Sequence, residues 1–164
     1  MPASFPNGLK SNSHTANQIS SNIVIARPAS ELFTLWRKPE TLPILMSHVA
    51  HIDIINNTDS RWRMKAPFGL YIEWLARIAD EKDGELIYWH SLPGARIPNE
   101  GRLTFQSISD QVTEVTLTIR FEPPGGFLGK TLGQMFQLLP KEMLHKTLRR
   151  FKSLAENGVI PPTL

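Results

Sequence analysis

Cysteine is absent from this 164-residue chain, which excludes disulfides, thiolate metal sites and a cysteine nucleophile. No run approaches the ~18 consecutive apolar residues of a membrane span. Charge is nearly balanced, with 18 Lys+Arg against 15 Asp+Glu, and a net +3 is too weak to argue for nucleic acid as a partner. No internal repeat of useful length occurs. The serine elbow, the zinc-protease motif and the phosphate loop are missing as well, since Gly125, Gly126, Gly129 and Gly133 are not followed by the Lys-Ser/Thr of a phosphate cradle. Lys10 has no apolar run behind it, so no secretory signal is expected and the expected location is cytoplasmic.

What remains is an ordinary globular composition, 41% hydrophobic and 20% charged, long enough for one domain with a real core. Residues 1–16 are rich in Ser, Asn, Pro and Gly and predict a flexible tail. Residues 17–160 predict a single domain, with 161–164 a short C-terminal tail. Alternation of apolar and polar residues predicts strands over 17–26, 48–56, 60–66, 71–79, 85–91, 101–107 and 114–121. Between the first two, Leu32, Leu35 and Trp36 share a helical face after Pro28. Lys38-Pro39 breaks that helix and opens a second over Pro39–Met46. The two short helices would form a bent lid.

The C-terminal third carries two apolar stripes. Leu128, Leu132, Met135, Phe136 and Leu139 cluster on one side, and Leu144, Leu148, Phe151 and Ala155 lie roughly 150° further round. Pro140 stands between them, so the spacing predicts a break there, a flap over 127–139 and a main helix over 141–156 ended by Gly158. The outer face of that helix carries Lys141, His145, Lys146, Arg149 and Lys152. Such a face is most often merely solvated, and its apolar companion near Phe127 would allow transient contact with a membrane surface.

The order strand, two short helices, strand meander and long C-terminal helix resembles the helix-grip fold of the START-like superfamily, an α+β fold shared with pollen-allergen-type proteins. The segments that carry the resemblance are LWRKPETLPILMSHV (Leu35–Val49), YIEWLARIADEKDGELIYWHS (Tyr71–Ser91) and FEPPGGFLGKTLGQMF (Phe121–Phe136). Within the superfamily the chain is similar to polyketide cyclase/dehydrase-type members, including coenzyme-Q-binding proteins. The resemblance implies about seven antiparallel strands curved around the C-terminal helix, with a hydrophobic small molecule bound between sheet and helix.

By alternation the inner sheet face consists of Trp62, Met64, Trp74, Ile87, Trp89, Leu103, Phe105, Leu117 and Ile119, with Leu144, Leu148 and Phe151 added from the helix. The pattern suits a filled core and a ligand cavity equally; the resemblance favours the cavity. The expected ligand is a quinone, lipid or polyketide, with no cofactor and no metal. Acid–base candidates are sparse. Glu73, Arg77 and His90 fall on the outer face with Arg61 and Arg63, while His48 and His51, with Asp53, read as surface groups at a strand entrance. An aromatase/cyclase or dehydratase would need one of these histidines, Glu73 or Arg77 turned inward. A ligand-free interaction module would instead show a solid core and an exposed apolar patch on the lid.

Overall fold

The computed structural model describes residues 18–121 and 141–161. The expected N-terminal tail, the flap over 127–139, the break at Pro140 and most of the C-terminal tail lie outside the described residues. Seven strands form one antiparallel sheet: β1 (Gln18–Ile25), β2 (His51–Ile54), β3 (Asp59–Lys65), β4 (Tyr71–Lys82), β5 (Leu86–Ser91), β6 (Asn99–Ser109) and β7 (Val112–Phe121). Their order across the sheet is β1-β7-β6-β5-β4-β3-β2. Sequential hairpins build β2 to β7, and β1 then joins the far edge, with Gln18 opposite Arg120 and Ile25 opposite Thr113. This curled sheet with its C-terminal helix is a helix-grip α+β fold.

Four strands, β2, β4, β6 and β7, have bounds two or more residues from those the alternation predicts. β2 is only four residues long, and β6 begins at Asn99, two residues before the expected start, because Asn99 and Glu100 pair with Phe121 and Arg120. A β-bulge between Ile78 and Asp80 shifts the β4–β5 register. It keeps Ile78 beside inward-facing Trp89 while Asp80 moves opposite outward-facing Tyr88.

Helix α1 (Ala29–Arg37) starts after Pro28, which sits at the N-cap in extended geometry, and Leu32 N donates to Pro28 O at 3.1 Å. It stops at Lys38, extended with φ −63° and ψ 132°, as expected for a residue before proline. Helix α2 (Thr41–Leu45) follows at once, tied to α1 by the Thr41 hydroxyl donating to Leu35 O at 2.7 Å.

The main helix, α3 (Lys141–Asn157), ends where Gly158 takes φ 74° and donates its N–H to Leu154 O at 2.9 Å. It lies along β1 and β7 and touches α2. Leu144, Leu148 and Phe151 on its inner face are fully buried, and each such burial contributes about 1.5–3 kcal/mol. The Phe151 ring meets the Trp36 ring edge-on at 5.1 Å. Helix α1 covers the middle of the sheet, where Phe33 meets Phe105 edge-on at 5.9 Å. The inner face is therefore covered by α3 toward β1 and by the lid toward β6.

Candidate functional site

Where the lid leaves the sheet, the sheet's inner face is incompletely filled. A cavity of about 260 Å³ lies between α1–α2 and strands β2 to β5, lined by Trp36 and Leu42 from the lid and by Trp62, Ile78, Ile87 and Trp89 from the sheet. Its rim is polar: Arg37 and Lys38 from the end of α1 on one side, and Asn56 to Ser60 from the β2–β3 turn on the other. That turn is rigid, because the Asn56 side chain accepts from the Thr58 and Asp59 backbone N–H groups, each at 2.9 Å. Asp59 and Arg77 form a bidentate pair at 2.7 and 2.8 Å. The guanidinium holds the Asp59 carboxyl at about 2. Arg37 closes the lid on the sheet, with its Nε 2.9 Å from Glu81 Oε2 and its Nη2 donating to Asn57 O at 2.9 Å.

A second, much smaller space lies further along the same face. It measures about 10 Å³, room for about one water, and is lined by Met46, Val49, Trp62, Met64, Trp74, Trp89, Asn99, Ile119 and Phe121. Trp62 and Trp74 are opposite one another across β3 and β4 and stack at 5.7 Å with 16° between their planes. The Trp62 indole N–H is satisfied by Ser60 Oγ at 2.9 Å.

All twelve residues assigned to the interior, nine from the strands by alternation and three from the helix, are buried. Trp62, Ile87 and Trp89 line the larger space, and Trp62, Met64, Trp74, Trp89 and Ile119 line the smaller. Leu103, Phe105, Leu117, Leu144, Leu148 and Phe151 line neither of these two spaces and pack into the core. Sequence reasoning passed over Trp36, Leu42 and the rim residues, although the helical face of α1 already held Trp36. It also passed over Asn99, hidden in a segment read as loop.

The acid–base candidates divide as follows. Glu73 is exposed, 3.7 Å from Arg61, and Arg77 pairs with Asp59 rather than with Glu73. His51 is exposed and lies 3.2 Å from Asp53, the shared face that the spacing predicts. His90 is on the outer side, with Nδ1 2.9 Å from Ser91 O. His48 is not the surface group it was expected to be. It is half-buried against α3, its Nε2–H donating to Met143 O at 3.0 Å, with Thr147 Oγ1 at 3.2 Å and Arg150 Nη1 3.4 Å from Nδ1. The carbonyl requires a protonated Nε2, which leaves Nδ1 as the acceptor for Arg150. Burial holds His48 below its ordinary pKa, helped by Arg150 and Lys146 and opposed by the Met143 carbonyl.

A polar cluster on the outer side of the sheet went unread in the sequence. Tyr88 donates its hydroxyl to Glu100 Oε2, and Arg120 Nη2 lies 2.7 Å from Glu100 Oε1, with Glu100 fully buried. Burial, then the bond to Glu100, raises the Tyr88 pKa well above its ordinary value, so the phenol remains a neutral donor.

The basic face of α3 is partly committed to β1. His145 Nδ1 is 3.1 Å from Ser21 Oγ, and Lys152 Nζ donates to Val24 O at 2.8 Å. Among the described residues there is no group of three side chains that could hold a metal ion, and no helix is long and apolar enough to cross a membrane.

The family model for polyketide cyclase/dehydrase and lipid transport matches residues 25–147. No curated protein matches the sequence. Among solved structures, the chain is similar to one from Deinococcus radiodurans at 31% identity, covering 87% of this chain and 98% of that one with a TM-score of 0.67. A START superfamily protein from Mycobacterium smegmatis has 14% identity, coverage of 87% and 99%, and a TM-score of 0.63. Truncated norcoclaurine synthase from Thalictrum flavum has 12% identity, coverage of 85% and 93%, and a TM-score of 0.62. The last two likenesses are of fold.

Proposed function

Since the chain belongs to the polyketide cyclase/dehydrase and lipid-transport family, whose fold binds hydrophobic ligands, we propose that it is a non-catalytic carrier or sequestering protein for a small hydrophobic molecule such as a quinone, lipid or polyketide. The observation that supports this reading is the placement of tryptophan. All four tryptophans of the chain, at 36, 62, 74 and 89, line the 260 Å³ cavity or the narrow space next to it. Such surfaces suit a planar or isoprenoid-like body. The polar rim of Arg37, Lys38 and Asn56 to Ser60 would leave the more polar end of the ligand at the mouth. At 260 Å³ the space is below the ~300–1,000 Å³ of drug-sized pockets, which favours a short ligand or one that pushes the lid outward.

The enzymatic alternative, a cyclase or dehydratase, needs a proton donor or acceptor facing the bound chain. The carboxylate on the cavity lining is Asp59, and with a pKa of about 2 it is a weak base committed to Arg77. That arrangement favours binding over catalysis.

Titration with a short-chain benzoquinone tests the reading, because a quinone seated among the tryptophans quenches their fluorescence. Saturable quenching, together with a co-purifying small molecule in native mass spectrometry, is the expected result. Absence of both would overturn it.

A further inference from the structure

Between β3 and β4 the chain turns through Pro67–Gly69, and Phe68 at the tip has φ 62° and ψ 30°. That left-handed conformation is uncommon for a bulky residue, because its Cβ crowds the following carbonyl. Phe68 is also 99% exposed, so its ring recovers nothing by burial within the chain. Leu70 at 62% and Tyr71 at 47% exposure continue the apolar tip. Glycine or asparagine is the usual occupant of such a turn position, and a strained aromatic held in water calls for a partner outside the chain.

The charges beside the tip say what kind. Arg61, Arg63 and Lys65 alternate along the outer face of β3 and are exposed. The Arg63 guanidinium lies 4.2 Å over the Tyr71 ring, and Lys65 is opposite Tyr71 in the register. The neighbouring acids are Glu73, opposite Arg63 in the register and 3.7 Å from Arg61, and Asp53, opposite Arg61 on β2. The cations outnumber these acids three to two, and Lys65, nearest the apolar point, has Tyr71 rather than an acid across from it, which complements a negatively charged apolar interface. A second copy of the chain would bring the same cations together, which opposes tip-to-tip association.

We propose that the β3–β4 tip is a membrane-contact element for anionic bilayers. Phe68 and Leu70 enter the headgroup boundary, Tyr71 lies at its level, and Arg63 and Lys65 face lipid phosphates. Read along β3, Trp62 of the ligand cavity is followed by Met64 of the narrow space and then by the tip. The strand that floors the cavity thus ends in the membrane-contact element. This inference does not depend on ligand binding.

The test is co-sedimentation of the full chain with vesicles of phosphatidylcholine alone or mixed with phosphatidylglycerol, at low and physiological salt, using vesicles free of quinone. The expected result is at least tenfold stronger binding to the anionic vesicles, weakened by salt. Phe68→Asn should lose at least tenfold of that binding while melting at the same or a higher temperature, since asparagine relieves the backbone. Leu70→Ser should weaken binding without moving the turn. No binding to either vesicle would overturn the proposal, as would binding unchanged in both variants. So would concentration-dependent self-association removed by Phe68→Asn in the absence of any vesicle binding.

Discussion

The indole of Trp89 packs against Gly101 on the neighbouring strand, so close that a methyl on Gly101 would stand 2.1 Å from Cζ2 and 2.2 Å from Cε2. Only a residue without a side chain allows this ring so close to the strand, and Trp89 also lines the cavity. Gly101→Ala should therefore lift Trp89 off β6. Overpacking of this kind costs about 1–3 kcal/mol, readable by urea denaturation, and quinone binding should weaken with it. An unchanged denaturation midpoint would show that the ring moves aside freely.

Filling the cavity should separate binding from stability. Leu42 is only partly buried and lines the space from the lid side. Leu42→Phe should lower quinone affinity about tenfold, equivalent to about 1.4 kcal/mol, with little change in melting temperature. Equal affinity in parent and variant would place the ligand elsewhere.

His48 should give the fold an acid-sensitive seam between the lid and α3. In the unfolded chain it protonates as the pH falls through 6.5, whereas burial delays this in the folded chain to lower pH. Below 6.5 the unfolded state then holds the extra proton, so the His48 contribution is complete above that pH and lost beneath it. A proton on Nδ1 would also remove the acceptor that faces Arg150. Melting temperatures at pH 7.5 and 5.5 should fall further in the parent than in His48→Gln; parallel slopes would contradict this.

Tyr88→Phe leaves the buried Glu100 carboxylate without its phenolic donor. A buried acceptor deprived of its partner costs about 1–3 kcal/mol. The loss should appear in chemical denaturation and leave quinone binding intact, because Tyr88 is on the opposite side of the sheet from Trp89.

The period-two pattern was enough to place Trp62, Met64, Trp74, Ile87 and Trp89 on one face, because in a strand the face of a side chain follows from its position alone. Pro39 and Gly158 similarly marked the ends of α1 and α3 through local geometry. The unread features are non-local. His48 meets Met143 and Arg150 only after the lid docks on α3. Glu100 falls in a stretch with Pro93, Gly94 and Pro98 nearby, and only its pairing with His90 and Arg120 makes it part of a strand. The bulge that turns Asp80 outward leaves no mark in residue types. The position of the cavity is further still from the sequence, since volume depends on how closely the lid approaches the tryptophans, whereas burial requires only that they face inward.

The edge position of β1 has a consequence for how the chain is made. Strands β2 to β7 can pair with neighbours just synthesised, but Ile25 must wait for Thr113 and Gln18 for Arg120. Of the seven strands of this sheet, the one translated earliest is therefore the last to enter it. Its Ile19, Ile23 and Ile25 stay without their native cover until nearly the whole domain has been translated. Such long-range closure slows folding and leaves apolar surface open to wrong partners. Nascent-chain experiments should find protease resistance arriving abruptly, once β7 and then α3 have emerged, rather than accumulating hairpin by hairpin.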